Sequence, residues 1–237
     1  MRVLLKLRAE KFLPGYKVNK HTVQGAIYSL LDDTDFSDLH SKNGFKYFTF
    51  SDIFPPGDFY PKKEKTLIIS SPNAEFIRTV RNKIERTKYV YLSDVPFHVS
   101  EVKSFSIRPT GKFITGSPVV LQVNNEESLY FSFERGGKMR FFMDRIKDNA
   151  IKKYNSFYEE NLYFEDDIFD LLQFKKEVSV VVKKDDKSFV VIGSMWSLLQ
   201  KNIPKELRKF YEFITDCGIG EKNSLGFGFL NVVSSEK

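Results

Sequence analysis

The sequence predicts an α+β protein built from two tandem ferredoxin-like domains. Segments with strand and helix periodicity follow one another in the order β-α-β-β-α-β. The same order begins again after Arg108-Pro109-Thr110-Gly111, and 237 residues are enough for two small hydrophobic cores. Because no sequence repeat is visible, the duplication is inferred from element order. We place the domains at residues 1–110 and 111–237.

The first unit opens with a strand in which Val3, Leu5 and Leu7 alternate with polar or basic side chains. A helix follows, because apolar residues recur at helical spacing from Val23 to Leu31. Asn73 is a suitable N-cap for a second helix. The predicted elements are strands over 2–8, 46–54, 66–69 and 97–108 and helices over 21–31 and 74–87.

The second unit repeats this order with longer elements. Gly116-Ser117-Pro118 interrupts its first strand, and Pro204 stands at the favoured first turn of its last helix. Asp185-Asp186-Lys187 is the predicted turn of a hairpin. The predicted elements are strands over 113–123, 129–133, 177–184, 188–192 and 225–233 and helices over 138–158 and from 204 to near 216.

Composition and charge favour an anionic partner without deciding the matter. The net charge is +6 and the isoelectric point is about 9.1, which also fits a solvated surface of lysine and glutamate. Cys217 is the single cysteine, so no internal disulfide is expected and a reducing cytoplasm is the expected location. No secretory signal or membrane span is visible in the sequence.

A glycine-rich segment near the C-terminus is the most informative motif. It has the pattern G-x-G-x5-G-x-G, which allows positive φ angles and backbone N–H groups that converge on an anion. Side-chain donors stand in its middle, and we predict that the segment contacts phosphate. A helix C-cap followed by a glycine-tolerant strand is the structural alternative. The predicted phosphate-binding residues are Gly218, Gly220, Lys222, Asn223, Ser224, Gly226 and Gly228.

Other glycine-rich motifs do not fit this segment. The Walker pattern is absent, and the dinucleotide pattern G-x-G-x-x-G fails because position 223 is Asn. Both motifs also require a strand before the loop and a helix after it, whereas here the order is reversed. Residues 225–232 approach an RNP1 strand, but they lack its leading basic and trailing aromatic residues and come too late in the domain.

The segment resembles the signature loop of the repeat-associated RNA-binding superfamily found with CRISPR loci, in the branch that processes CRISPR repeat RNA. That resemblance implies two ferredoxin-like domains with this loop before the last strand. It also implies cleavage of precursor CRISPR RNA without a metal or other cofactor, leaving a 2′,3′-cyclic phosphate and a 5′-hydroxyl. Such cleavage needs a base, an acid and a cation beside the phosphate.

The same resemblance supplies candidate catalytic residues. Archaeal-type members carry G-x-I-Y on the first helix, then a histidine, then K-x-F-T before a strand. Here Gly25-Ala26-Ile27-Tyr28, His40 and Lys46-Tyr47-Phe48-Thr49 match, which implies Tyr28, His40 and Lys46 as the catalytic residues. Histidine can act as acid or base near neutral pH. The three histidines lack zinc-site spacing, so no metal site is expected.

Further RNA contacts are expected from the second helix, where Arg78 and Arg81 lie outside the apolar stripe. An i,i+4 pair between Arg81 and Glu85 is the alternative. The expected partner is CRISPR repeat RNA, bound by a monomer or homodimer, either alone or within a CRISPR effector complex, and not a membrane. Two rival functions stay open at this point: a non-catalytic RNA-binding subunit of the same superfamily, and a structural or protein-interaction scaffold.

Overall fold

The computed structural model describes residues 1–124, 129–184 and 187–233. A five-stranded antiparallel sheet forms the first half, with strand order β2-β3-β1-β5-β4. Without β4, this is the strand order of a ferredoxin-like domain. The elements are β1 (Arg2–Ala9), α1 (Lys20–Leu31), β2 (Thr49–Phe50), β3 (Glu64–Ser70), α2 (Ala74–Thr87), β4 (Tyr89–Leu92) and β5 (Val95–Phe105).

The core of this half joins the sheet to both helices. Val3, Leu5 and Leu7 of β1 are buried in one cluster with the apolar stripes of α1 and α2. Both helices begin at an asparagine: Asn19, which was not predicted as a cap, forms a capping box for α1, and the side chain of Asn73, the predicted cap, accepts from the first-turn amides of α2. Because α2 runs from Ala74 to Thr87, its predicted span is confirmed at both ends.

The second half contains a four-stranded antiparallel sheet with the order β11-β6-β10-β9, again that of a ferredoxin-like domain, and a separate β7-β8 hairpin. Together with the first sheet, it confirms the predicted α+β class. The elements are β6 (Lys112–Thr115), β7 (Gln122–Asn124), β8 (Leu129–Tyr130), α3 (Met139–Tyr158), β9 (Leu171–Lys184), β10 (Lys187–Gln200), α4 (Arg208–Cys217) and β11 (Leu230–Val232).

The observed strands differ from the predicted ones in several places. The strand expected over 46–54 is reduced to β2, because Tyr47 has a φ of 51° and turns the chain just before it. The final strand is only β11, because positive φ angles at Gly226 and Gly228 break the extended backbone. β4 was not predicted: its turn uses Ser93 and Asp94 at positive φ instead of glycine. Residues 185–186 of the predicted hairpin turn lie outside the described residues.

Arg2 joins the two halves. Its side chain starts on β1 but is fully buried against the second sheet, where Nη2 donates to the carbonyl oxygens of Thr215 (2.8 Å) and Leu230 (2.7 Å). The guanidinium lies 4.6 Å from the ring centroid of Phe229 and 3.5 Å from a carboxylate oxygen of Asp216. Burial lowers the pKa of Arg2, and Asp216 opposes that shift.

Among the described residues, no helix is both long enough and apolar enough to cross a bilayer.

Candidate active site

Tyr28 and His40 lie side by side. Tyr28 projects from the flank of α1 and is half-buried, and His40 ends a 3₁₀ turn that begins at Ser37. Their rings meet edge to face with centroids 4.9 Å apart, and the Tyr28 ring also packs edge to face on Phe48 at 5.9 Å. The exposed imidazole is thus supported from one side by a ring that is itself fixed against the core. The structure brings these two predicted residues together.

Lys46 completes the cluster from the loop that leads to β2. Its ammonium donates to the carbonyl oxygen of Leu39 at 2.6 Å and to that of Lys42. It therefore holds the turn that carries His40. Burial lowers the pKa of Lys46, nearby Lys42 lowers it further, and Asp38 opposes both effects. A cation with this lowered pKa lies beside the predicted acid–base pair.

The glycine-rich loop, residues 218–228, is held from the second half by a buried lysine of α3. The Lys153 ammonium donates to the carbonyl oxygens of Gly218 (2.8 Å) and Gly220 (3.1 Å) and to Oδ1 of Asn223 (2.7 Å). The Asn223 amide in turn donates to the carbonyl oxygens of Ile219 and Phe227, each at 3.0 Å. Asn223 was predicted to bind phosphate, but here its side chain ties the loop together.

A second buried lysine, on α1, holds the far end of the loop. Lys20 donates to the carbonyl oxygen of Gly226 and to a carboxylate oxygen of Asp52, both at 2.7 Å, and lies 4.9 Å from the ring centroid of Phe227. Thr49 of β2 donates to the carbonyl oxygen of Phe227 at 3.1 Å. Burial lowers the pKa of Lys20, and Asp52 opposes it. The loop is thus fixed between the two halves of the chain.

The four predicted glycines are buried and tightly enclosed. All have positive φ, between 68° and 85°. A Cβ at Gly226 would collide with the ring of Phe50, and one at Gly228 would collide with the carbonyl oxygen of Ile219. These positions need glycine because the surrounding chain leaves no room for a side chain and the backbone is left-handed. Within the packed loop, Glu221, Lys222 and Ser224 are partly exposed.

Ser224 connects this loop to the predicted catalytic residues. Its carbonyl oxygen accepts a hydrogen bond from Nε2 of Gln24 at 2.9 Å, and Gln24 lies one helical turn before Tyr28 on α1. Burial raises the pKa of Tyr28, while the Ser224 side chain lowers it. Two segments at opposite ends of the sequence therefore form one site, and Ser224 has a contact that the sequence did not predict.

A cleft of about 220 Å³, here called the loop cleft, opens beside this junction. It lies between the residues before β2 and the glycine-rich loop. Burial lowers the pKa of Lys222 in its wall, and Glu221 opposes that shift. Among the residues that the structure describes, no group of three or more His, Cys, Asp and Glu side chains is placed to hold a metal ion. The side chains that shape the cleft are Phe45, Lys46, Tyr47, Glu221, Lys222 and Ser224.

Arg78 and Arg81 lie apart from this cluster, on the exposed side of α2. Arg78 pairs with Glu75 at 2.5 Å and Arg81 with Glu85 at 2.7 Å. The i,i+4 alternative raised for Arg81 is thus present. Pairs this exposed contribute little to stability, so both arginines are still able to exchange a carboxylate for a phosphate. Their role in RNA binding stays a prediction.

Sequence reasoning missed the two buried lysines. A signal was present for Lys153, because it falls on the same stripe of α3 as Ile146 and Ala150. A charged residue on an apolar stripe is rarely buried unless polar groups surround it. The oxygen atoms around it come from residues 65 or more positions later in the chain, and no local pattern identifies them.

Comparison with known proteins identifies the family of the chain. A family model described as CRISPR associated protein Cas6, C-terminal, matches residues 99–232. The chain is 45% identical over 240 residues to CRISPR-associated endoribonuclease Cas6 2 of Methanocaldococcus jannaschii, which covers 98% of this chain and 100% of that protein. It is 22% identical over 259 residues to CRISPR-associated endoribonuclease Cas6 of Haloferax mediterranei, covering 100% of this chain and 95% of the relative.

A solved structure described as CRISPR associated protein Cas6 superposes with a TM-score of 0.73 at 25% identity and covers 99% of both chains. Another, described as an RAMP protein binding different RNA substrates, has the same fold, with a TM-score of 0.70 at 22% identity over 99% of this chain and 100% of that one. The match to the family model and the full-length relative at 45% identity show that this chain belongs to the Cas6 family of CRISPR-associated endoribonucleases.

Proposed function

We propose that this chain cleaves CRISPR repeat RNA within its precursor transcript, with Tyr28, His40 and Lys46 as the catalytic residues. The ribose 2′-oxygen attacks the adjacent phosphorus, and the bond from phosphorus to the 5′ oxygen breaks. The products are a 2′,3′-cyclic phosphate and a 5′-hydroxyl. No metal ion takes part in this proposed reaction.

Each catalytic residue has one task. Tyr28 and His40 form the acid–base pair: one takes the proton from the 2′-hydroxyl, and the other protonates the leaving 5′ oxygen. The Lys46 ammonium, with its lowered pKa, offsets the additional negative charge of the phosphorane. Lys46 would turn from the carbonyl of Leu39 toward the phosphate to do so.

The glycine-rich loop would grip the RNA beside these residues. Its glycine backbone is largely enclosed by protein, so the partly exposed Lys222 and Ser224 are the best placed of its predicted phosphate contacts. Arg78 and Arg81 are proposed as more distant contacts to the RNA backbone. The buried Asn223 keeps the loop in shape.

One observation carries the proposal: the Tyr28 and His40 rings are in contact, and Ser224 of the loop is hydrogen-bonded to Gln24, one helical turn before the same tyrosine. Residues proposed to do chemistry and a loop proposed to bind phosphate thus lie next to each other. A non-catalytic RNA-binding subunit would have no need for this arrangement.

The test is to incubate the protein in EDTA with the repeat RNA of its own genome and to map the RNA ends. We expect discrete cuts with cyclic phosphate ends, and a rate about 10²–10⁴-fold lower in His40→Ala. His98→Ala is a matched control, since His98 lies on β5 against Tyr89 and away from the cluster. RNA that is bound but left intact by the wild-type protein would support a binding subunit instead. Undiminished cutting by His40→Ala would refute the assignment of that residue.

A further inference from the structure

The loop cleft has an aromatic wall that the proposed reaction does not use. Phe45 is 40% exposed, and its ring centroid lies 6.0 Å from that of Tyr47. Both rings line the cleft. An exposed phenylalanine leaves apolar surface in water, and here that surface borders a cavity beside Lys46.

This wall is fixed in place by the second half of the chain. The Tyr47 hydroxyl donates to Oγ of Ser156 at 2.8 Å, and its ring meets that of Phe157 edge to face at 5.0 Å. Both partners lie on α3. Phe45 therefore rests on a ring that is held by contacts across the two halves, which makes the wall a rigid surface.

The backbone at Tyr47 is strained in a way that shapes the cleft. Its φ of 51° is unusual for a bulky side chain, and the Ser71 hydroxyl holds it by donating to its carbonyl oxygen at 2.7 Å. This turn allows Phe48 to enter the core while Phe45 and Lys46 line the cleft. Strain of this kind persists where the surrounding structure imposes it, and it concentrates at functional sites.

Cations face this aromatic wall. Lys46 stands next to Phe45 in the chain, and Lys222 and Ser224 line the cleft from the glycine-rich loop. A nucleotide combines a flat ring with an anionic phosphate, and proteins bind unpaired RNA by stacking its bases on aromatic side chains beside positive charge. The cleft offers an aromatic ring and two lysines to these parts, and the carboxylate of Glu221, which also lines the cleft, is paired with Arg145 at 3.1 Å.

We propose that the loop cleft binds one unpaired nucleotide next to the scissile phosphate, with its base against Phe45 and its phosphate between Lys46 and Lys222. The inference rests on the proposed function and adds a base-binding site to it. Because every base has a flat face, this site favours an unpaired nucleotide without selecting its identity.

The experiment measures the affinity of the wild-type protein for its repeat RNA, with a single abasic site moved through the repeat. A 2′-deoxyribose on the 5′ side of the mapped cut removes the attacking 2′-hydroxyl and so prevents cleavage during the measurement. If the wild-type protein does not cut the RNA, this substitution is not needed. We expect one position, next to the cut, where loss of the base weakens binding about 5- to 150-fold.

Phe45→Leu identifies the protein side of this contact, because leucine keeps apolar bulk without a flat ring. It should weaken binding of the intact repeat by a similar factor and cause no further loss with the critical abasic RNA. Phe45→Tyr should bind as the wild type does. Phe12→Leu is the control, since Phe12 is 50% exposed and also contacts one tyrosine ring, at 5.2 Å, outside the cleft.

Two results would overturn the inference. One is an unchanged RNA affinity of Phe45→Leu. The other is an affinity of Phe45→Leu for the critical abasic RNA that is lowered by the product of the two separate losses, because independent effects would then be at work. Neither depends on cleavage. A wild-type protein that fails to cut RNA overturns the proposed function alone, because the binding losses are measured separately.

Discussion

The buried ammonium of Lys153 donates a 2.7 Å hydrogen bond to the side-chain oxygen of Asn223, which is itself enclosed by the glycine-rich loop. The carbonyl oxygens of Gly218 and Gly220 accept from the same ammonium. No carboxylate makes a hydrogen bond to it among the contacts of the described residues. Its pKa is lowered by burial. The buried Lys153 ammonium thus fixes the loop through hydrogen bonds to uncharged carbonyl and amide oxygen atoms.

Replacing Lys153 with Met should disorganise this loop. The change keeps the length of the side chain but leaves three oxygen atoms without a donor, so we expect the free energy of unfolding to fall by about 1–3 kcal/mol and RNA cleavage to slow. Thermal unfolding and single-turnover cleavage measure the two effects. Lys152→Met is the control, because that neighbouring lysine is exposed. Equal behaviour of the two variants would contradict the role given to Lys153.

Adding one methyl group to Gly228 should be costly. Its φ of 68° is left-handed, and the new Cβ would collide with the carbonyl oxygen of Ile219. We expect Gly228→Ala to lower the free energy of unfolding by about 1–3 kcal/mol. In contrast, Gly25→Ala on α1 should raise it by about 0.5–1 kcal/mol, since nothing lies within 4 Å of a Cβ there. Urea titrations of both variants test whether the free energy of unfolding falls for Gly228→Ala and rises for Gly25→Ala.

The pH dependence of cleavage should respond to Ser224. Its side chain lowers the pKa of Tyr28 against the larger effect of burial, so Ser224→Ala should raise that pKa. Whether Tyr28 acts as acid or base, the limb of the pH–rate profile that it controls then moves to higher pH. Tyr28→Phe should remove the limb. Ser29→Ala, an exposed neighbour on α1, should leave the profile in place. An unshifted limb in Ser224→Ala would show that the loop does not affect the pKa of the residue that controls this limb.

RNA affinity should depend on salt through individual cations. If Lys222 neutralises one phosphate, Lys222→Met reduces the slope of log K against log salt by about 0.7, the value for single strands. Arg78→Met and Arg81→Met test the two predicted contacts on α2 in the same way. Lys205→Met, an exposed lysine beside α4, serves as the control. Unchanged slopes for the two arginine variants would contradict their predicted phosphate contacts. Arg78 and Arg81 would then serve only as ion-pair partners of Glu75 and Glu85.

The sequence predicted best where local chemistry decides structure. Asn73 marked the start of α2, and the position of the glycine-rich loop between a helix and the final strand led to the right family. Predictions failed where distant contacts decide. The loop glycines are enclosed by Phe50 and Val120, and Lys20 and Lys153 reach the loop from two different helices. Periodicity describes the face on which a residue lies, but not which distant oxygen atom it meets.

The predicted cluster of Tyr28, His40 and Lys46 shows the same limit. The family resemblance grouped these three residues, which all lie within one short segment of the sequence. The hydrogen bond from Gln24 to Ser224, which places the loop beside Tyr28, could not be foreseen, since it depends on how the two sheets pack. The burial of Arg2 against Phe229 is part of that packing.

Almost two hundred residues separate Gln24 from Ser224, although the two are joined by a hydrogen bond one helical turn from Tyr28. A ribosome therefore releases the proposed catalytic cluster long before it makes the loop that completes it, and domains generally fold in order of synthesis. The growing polypeptide carries an unfinished catalytic centre throughout translation. A chain that is abandoned before residue 218 thus carries Tyr28, His40 and Lys46 without the loop that is proposed to grip RNA beside them.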